Sequence, residues 1–100
     1  MSRGRFVAAA RLEFLAEVVH YAREGPHLGE RFAEAVEAAV ARALAFPLAG
    51  SPGLAKTRYV LVEKFPFSVF YRPEQDGIVV FAVAHQARKP GYWRARVPAR

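Results

Sequence analysis

The sequence predicts an α+β fold, with an N-terminal αα-hairpin packed on a three- to four-stranded, mainly antiparallel sheet. Three observations predict it. Two successive segments of the first half carry apolar residues at helical spacing, with a short break at Gly25-Pro26 between them. After Pro47 the apolar period drops to that of a strand. The chain has 100 residues, 53% of them hydrophobic, which is the length of one small domain (residues 1–100) with material for one core.

Arg5–Ala8 has room for a short leading strand. From Leu12 to Ala22, the residues Leu12, Phe14, Leu15, Val18, Val19 and Tyr21 fall on one half of a helical wheel. Glu13, Glu17, His20, Arg23 and Glu24 fall on the other. Gly25-Pro26 ends this helix, because neither residue continues it. The second helix has a regular stripe: Phe32, Ala35, Val36, Ala39, Val40, Ala43 and Leu44. Glu30, Arg31, Glu34, Glu37 and Arg42 face away, and Pro47 stops it. So short a break makes the pair a hairpin, with both stripes turned to one apolar layer.

That layer is the sheet. Pro47–Gly53 is rich in turn residues. Thr57–Lys64 then alternates, with Tyr59, Leu61 and Glu63 against Arg58, Val60 and Val62. Phe67–Arg72 is a second strand, rich in aromatic and β-branched residues. Pro73–Gly77 carries the hairpin dipeptide Asp76-Gly77, and Ile78–Ala84 is a third, most apolar strand. Short turns make the three a meander.

Composition removes several function classes. There is no cysteine, hence no disulfide framework and no thiolate chemistry. No apolar run approaches the roughly 18 residues of a membrane span. Arg3 and Arg5 before an alanine run faintly mimic a signal peptide, but Arg11, Glu13 and Glu17 interrupt it, so a cytoplasmic protein is expected. His20 and His27 lack metal-ligand spacing and no phosphate-loop pattern is present, so neither metal nor cofactor is expected.

The net charge of +6 is uneven. Residues 1–55 hold six Arg and six Glu, and residues 56–100 hold nine bases against Glu63, Glu74 and Asp76. From residue 86 on, Arg88, Lys89, Arg94, Arg96 and Arg100 meet no acid at all. An anionic or acidic partner would answer such a half; a solvated basic tail is the plain alternative.

Three pieces carry a family resemblance. They are Gly29-Glu30-Arg31-Phe32 opening the second helix, Phe65-Pro66-Phe67 before the second strand, and Ala82-Val83-Ala84-His85 followed by Arg88, Pro90, Gly91, Tyr92 and Trp93. In these the chain resembles the ParE/RelE superfamily of toxins from bacterial type II toxin–antitoxin modules, over about residues 6–97. The resemblance implies the RelE/ParE-like fold and a cognate antitoxin as partner. It also implies one of two activities. ParE-like relatives bind and trap DNA gyrase; RelE-like relatives are mRNA interferases that cut ribosome-bound mRNA.

RNA cleavage needs a base for the ribose 2′-OH, charge stabilisation at phosphorus and an acid for the leaving oxygen. The candidates for a RelE-like site are His85 as base or acid, Arg88 as phosphate fork and Tyr92. Lys56, Arg58, Lys64, Trp93, Arg94 and Arg96 are candidates for binding a target, with Trp93 able to stack on a base. Each has a plainer reading. Arg58 can pair with Glu17 or Glu34, His85 can bond backbone at a strand end, Tyr92 and Trp93 can anchor the tail, and Phe65 and Phe67 can be core. Glu63, and His85 or Gln86, stand where RelE-like members carry arginines, which moves weight towards the gyrase-binding reading. A basic, non-toxic nucleic-acid-binding domain is the rival from another class, and exposed strand edges make a homodimer possible.

Overall fold

A computed structural model describes residues 3–99, so Arg100 of the acid-free tail lies outside the described residues. The elements run β1 (Arg3–Phe6), α1 (Ala8–Glu24), α2 (Leu28–Ala45), β2 (Ser51–Pro52), β3 (Arg58–Leu61), β4 (Phe67–Glu74) and β5 (Gly77–His85). Leu54–Lys56 is a tight turn with Ala55 and Lys56 in the left-handed region, and Arg94–Arg96 is a single 3-10 turn. The sheet order is β1-β5-β4-β3-β2; β1 runs parallel to β5 and the other pairs are antiparallel. The two helices lie on one face of this mixed sheet, which is the α+β architecture expected. No helix of the described residues is long and apolar enough to cross a membrane.

The α2 stripe closes the core as its spacing predicts. Phe32, Val36, Ala39 and Ala43 are buried, and Ala35, Val40 and Leu44 pack beside them. Under them lie Val62, Phe67, Val69, Tyr71, Ile78, Val80 and Val83 of the sheet layer. The rings of Tyr21, Phe65 and Phe67 surround Phe32 at centroid distances of 5.0–5.3 Å, so both phenylalanines of the Phe65-Pro66-Phe67 piece are core. α1 and α2 touch at Gly29: a Cβ there would lie 2.8 Å from the Val18 carbonyl oxygen and 2.9 Å from the Ala22 Cβ.

The sheet has five strands where three or four are predicted. β2 is two residues long and lies inside the turn-rich Pro47–Gly53 stretch, too short to show alternation. Its Pro52 is tolerated because β2 is an edge. β1 starts two residues earlier than expected, because Arg3 and Gly4 already pair with Gly77 and Ile78, and it ends at Phe6, because Ala8 already belongs to α1. β3 stops at Leu61 rather than Lys64: Lys64 takes φ 67°, and the chain turns back so that the Val62 N–H reaches the Phe67 carbonyl at 2.9 Å. β4 runs past Arg72 through Pro73 to Glu74, which leaves Gln75-Asp76 as the loop and places Gly77, φ 144°, opposite Glu74.

One irregularity prepares the functional face. Phe70 pairs with Ala82 and Tyr71 with Val80, so Phe81 is an extra residue in β5. Its insertion inverts the alternation. Ile78, Val80 and Val83 join the helix-side core, whereas Val79, Phe81, Ala82 and Ala84 form a second cluster with Trp93 on the other face. β5 is therefore buried on both faces, which explains why it is the most apolar strand.

Candidate functional site

The face of the sheet away from the helices is only partly covered. After β5 the chain turns at Gln86 and returns across this face, and Trp93 lands on Phe70 with ring centroids 4.4 Å apart. Trp93 is only 2% exposed. Between this returning segment and the β2 edge lies a groove of about 520 Å³. Its floor and walls are Leu54, Tyr59, Leu61, Phe70 and Trp93, and its rim carries His85, Arg88 and Lys89. None of the lining residues is acidic. Leu61 is 55% exposed and Leu54 45%, so the wall is apolar surface facing water. Gly91, φ 74°, lets the returning chain close on Leu54: a Cβ there would lie 2.6 Å from the leucine Cδ1.

What pins the returning segment is a carboxylate from the helical half. β1 ends opposite Val80, so the next stretch of β5 has no strand on that side. The Glu13 side chain of α1 takes the strand's place. Its Oε1 accepts the Val83 N–H at 3.1 Å. It also receives a two-pronged bond from Arg96, at 2.8 Å to Oε1 and 3.1 Å to Oε2. The Tyr92 hydroxyl donates to Oε2. About four acceptor positions exist on a carboxylate, and these donors use them. Arg96 in turn donates to the Phe81 carbonyl at 3.0 Å. The Arg88 guanidinium lies 3.7 Å from the Tyr92 ring centroid, with one nitrogen 3.9 Å from Glu13.

This clamp sets the protonation of the tyrosine. Burial, and then the hydrogen bond and charge of Glu13, push the Tyr92 phenol up to about 12, although Arg88 and Arg96 pull the other way. The hydrogen bond to Glu13 likewise raises Arg96 above the ordinary guanidinium value. Tyr92 is thus a neutral donor at physiological pH.

A family model for the ParE toxin of the type II toxin–antitoxin system parDE matches residues 5–90. The chain belongs to the ParE toxin family. No curated protein sequence matches the chain significantly. The matched span takes in the hairpin, the sheet and the groove rim up to Pro90; the segment carrying Tyr92, Trp93 and Arg96 follows it. As a ParE-family toxin, the chain has a cognate antitoxin for a partner.

The candidate residues of the toxin separate into groups. His85, Arg88, Tyr92 and Trp93 meet at the groove. His85 Nδ1 accepts the Ala87 N–H at 2.9 Å, a backbone bond at a strand end. Arg96 stands behind the groove, on Glu13. Lys56 and Arg94 line a separate hollow of about 270 Å³ beside the buried Arg72, and Lys56 has φ 58° there. Arg58 donates to the carbonyls of Leu48 and Gly50 at 2.8 and 3.0 Å, so it staples the α2–β2 loop instead of pairing with a helix glutamate. Lys64 lies on the α2 side with Arg31 and Arg42, away from the groove. Glu63 is there too, 3.6 Å from Arg42.

Sequence reasoning missed Glu13 as part of the site. It assigns Glu13 to the solvated half of α1, yet the side chain is only 15% exposed. A weak signal existed: Glu13 follows the fully buried Ala10 by three residues and so borders the buried stripe. Its partners lie 70 to 83 residues away in the chain, where helical periodicity carries no information.

Proposed function

We propose that this toxin arrests growth in the cytoplasm by binding DNA gyrase, with the acid-free groove as the contact surface. The observation that carries the reading is the engagement of the proton-handling groups. Phosphodiester cleavage needs an acid and a base free to converge on one phosphate. Tyr92 donates to Glu13 and holds its proton to about 12. His85 spends Nδ1 on the Ala87 N–H, and the Arg88 guanidinium lies on the Tyr92 ring. An apolar floor with a basic rim suits capture of a protein surface: aromatic and leucine side chains supply area, and Arg88 and Lys89 supply orientation.

The rival reading, a ribosome-dependent mRNA endoribonuclease, draws support from His85 and Arg88 standing at one groove over an aromatic floor. One pair of assays separates the two. Supercoiled plasmid, gyrase, ATP and the purified chain should yield cleaved plasmid, and Leu61→Glu in the groove wall should abolish it. Primer extension on ribosome-bound message should show no toxin-dependent cuts. Cuts that vanish in His85→Ala, with plasmid untouched, would reverse the assignment.

A further inference from the structure

Two tight turns join β5 to Trp93, and the cations of the groove rim stand where they meet. In the second turn, Lys89-Pro90-Gly91-Tyr92, the Tyr92 N–H reaches the Lys89 carbonyl at 3.3 Å. Pro90 and Gly91, φ 74°, are the central residues that a type II turn favours. The first turn, His85-Gln86-Ala87-Arg88, closes with the Arg88 N–H on the His85 carbonyl at 3.1 Å. Its central residues are Gln86 and Ala87, and neither is a turn former.

The side chain of its first residue closes it instead. His85 Nδ1 accepts the Ala87 N–H at 2.9 Å. This is the bond that Asn or Asp makes at the first position of a turn, to the N–H two residues on. Histidine Nδ1 and asparagine Oδ1 are both bonded to Cγ, so the imidazole stands in for an asparagine. Because Nδ1 accepts, the proton of the neutral ring sits on Nε2. From the other side the ring is held edge-on by the buried Phe67, with centroids 5.0 Å apart. The Gln86 N–H ties the same turn to the β3–β4 connection, at 2.8 Å from the Pro66 carbonyl.

The consequence falls on Arg88, where the first turn ends. Its side chain is 56% exposed, and its guanidinium lies over the Tyr92 ring. A long side chain loses rotamer freedom when it meets a partner, and one already held on an aromatic face has less to lose.

We propose that His85 is a positioning residue for target capture: it caps the 85–88 turn as an acceptor and through that turn holds Arg88 on the groove rim, without touching the target itself. The proposal rests on the reading of the groove as the gyrase-binding surface.

The test compares the full chain with His85→Ala, His85→Asn, Arg88→Ala and the double variant His85→Ala with Arg88→Ala. The readout is the concentration that gives half-maximal cleavage of supercoiled plasmid in the presence of gyrase and ATP. His85→Ala removes the acceptor and should raise that concentration about tenfold, the effect of one lost hydrogen bond at the upper end of its range. His85→Asn restores the acceptor and should return it to within about threefold of the parent. The double variant should be no weaker than Arg88→Ala alone, because the two residues act in series. Amide exchange reads the turn without the target: the Ala87 N–H should exchange at least about tenfold faster in His85→Ala and stay slow in His85→Asn. His85→Asn as weak as His85→Ala, with both folded, overturns the proposal. Losses that add in the double variant overturn it, and so does Ala87 exchange that is equal in the parent and both His85 variants. A parent chain that yields no cleaved plasmid overturns the gyrase reading, and the capture role with it, while the exchange rates still decide the turn.

Discussion

Glu13 gathers the Val83 N–H, the Tyr92 hydroxyl and both prongs of Arg96, and each would be left wanting if the carboxylate were removed. Glu13→Ala should therefore cost about 2–4 kcal/mol, towards the range for a broken buried pair because Arg96 and the strand N–H stay behind. Urea denaturation measures it, and a loss under about 0.5 kcal/mol, as for an ordinary surface change, would refute the role. Tyr92 adds a pH dependence. Its folded pKa, about 12, lies above the free phenol value. The unfolded chain therefore loses this proton first as pH rises. The contribution is fully present below about pH 10 and disappears between about pH 10 and 12. Tyr92→Phe should have a smaller fall in urea midpoint over that window than the parent; an equal fall would assign the effect to other groups, among them Tyr71 and Tyr21, which burial also raises.

The helices show how an element's sequence fixes both its form and its neighbours. The α2 stripe is buried where its period places it, and Gly25-Pro26 and Pro47 end the helices where they stand. α1 is harder to read. Its apolar half-wheel is wider than the face the core covers, and nothing in the periodicity distinguishes Phe14 and Val18, which are packed inside, from Leu12 and Leu15, which are not. The strands were legible from alternation and turn residues, but β2 has only two residues, and the bulge at Phe81 depends on pairing between β4 and β5 that no single strand records. Contact between the helices depends on Gly29. Gly29→Ala should cost about 1–3 kcal/mol, since a rigid carbonyl and a helix Cβ stand in the way. Thermal unfolding should register it as a drop of several degrees, and an unchanged midpoint would show that the hairpin relaxes freely.

On the scale of the molecule, the basic excess divides by use. Arg58, Arg72 and Arg96 hold loops and the tail through carbonyls and Glu13. Lys56, Lys64, Arg88, Lys89 and Arg94 are exposed, and of these only Arg88 and Lys89 rim the groove. The sequence could locate the charge in the second half, and it could nominate His85, Arg88, Tyr92 and Trp93 together because they are close in the chain. It could not separate structural arginines from free ones, because that depends on which carbonyls and carboxylates the fold brings near. Nor could it show the wall made by Leu54, Tyr59 and Leu61, which the β2–β3 edge supplies from across the sheet. We propose that this groove captures gyrase. Purified chain, gyrase, ATP and supercoiled plasmid test it most directly: accumulation of cleaved plasmid that Leu61→Glu prevents is the predicted result, and plasmid left unaltered at high concentrations of folded chain would contradict it.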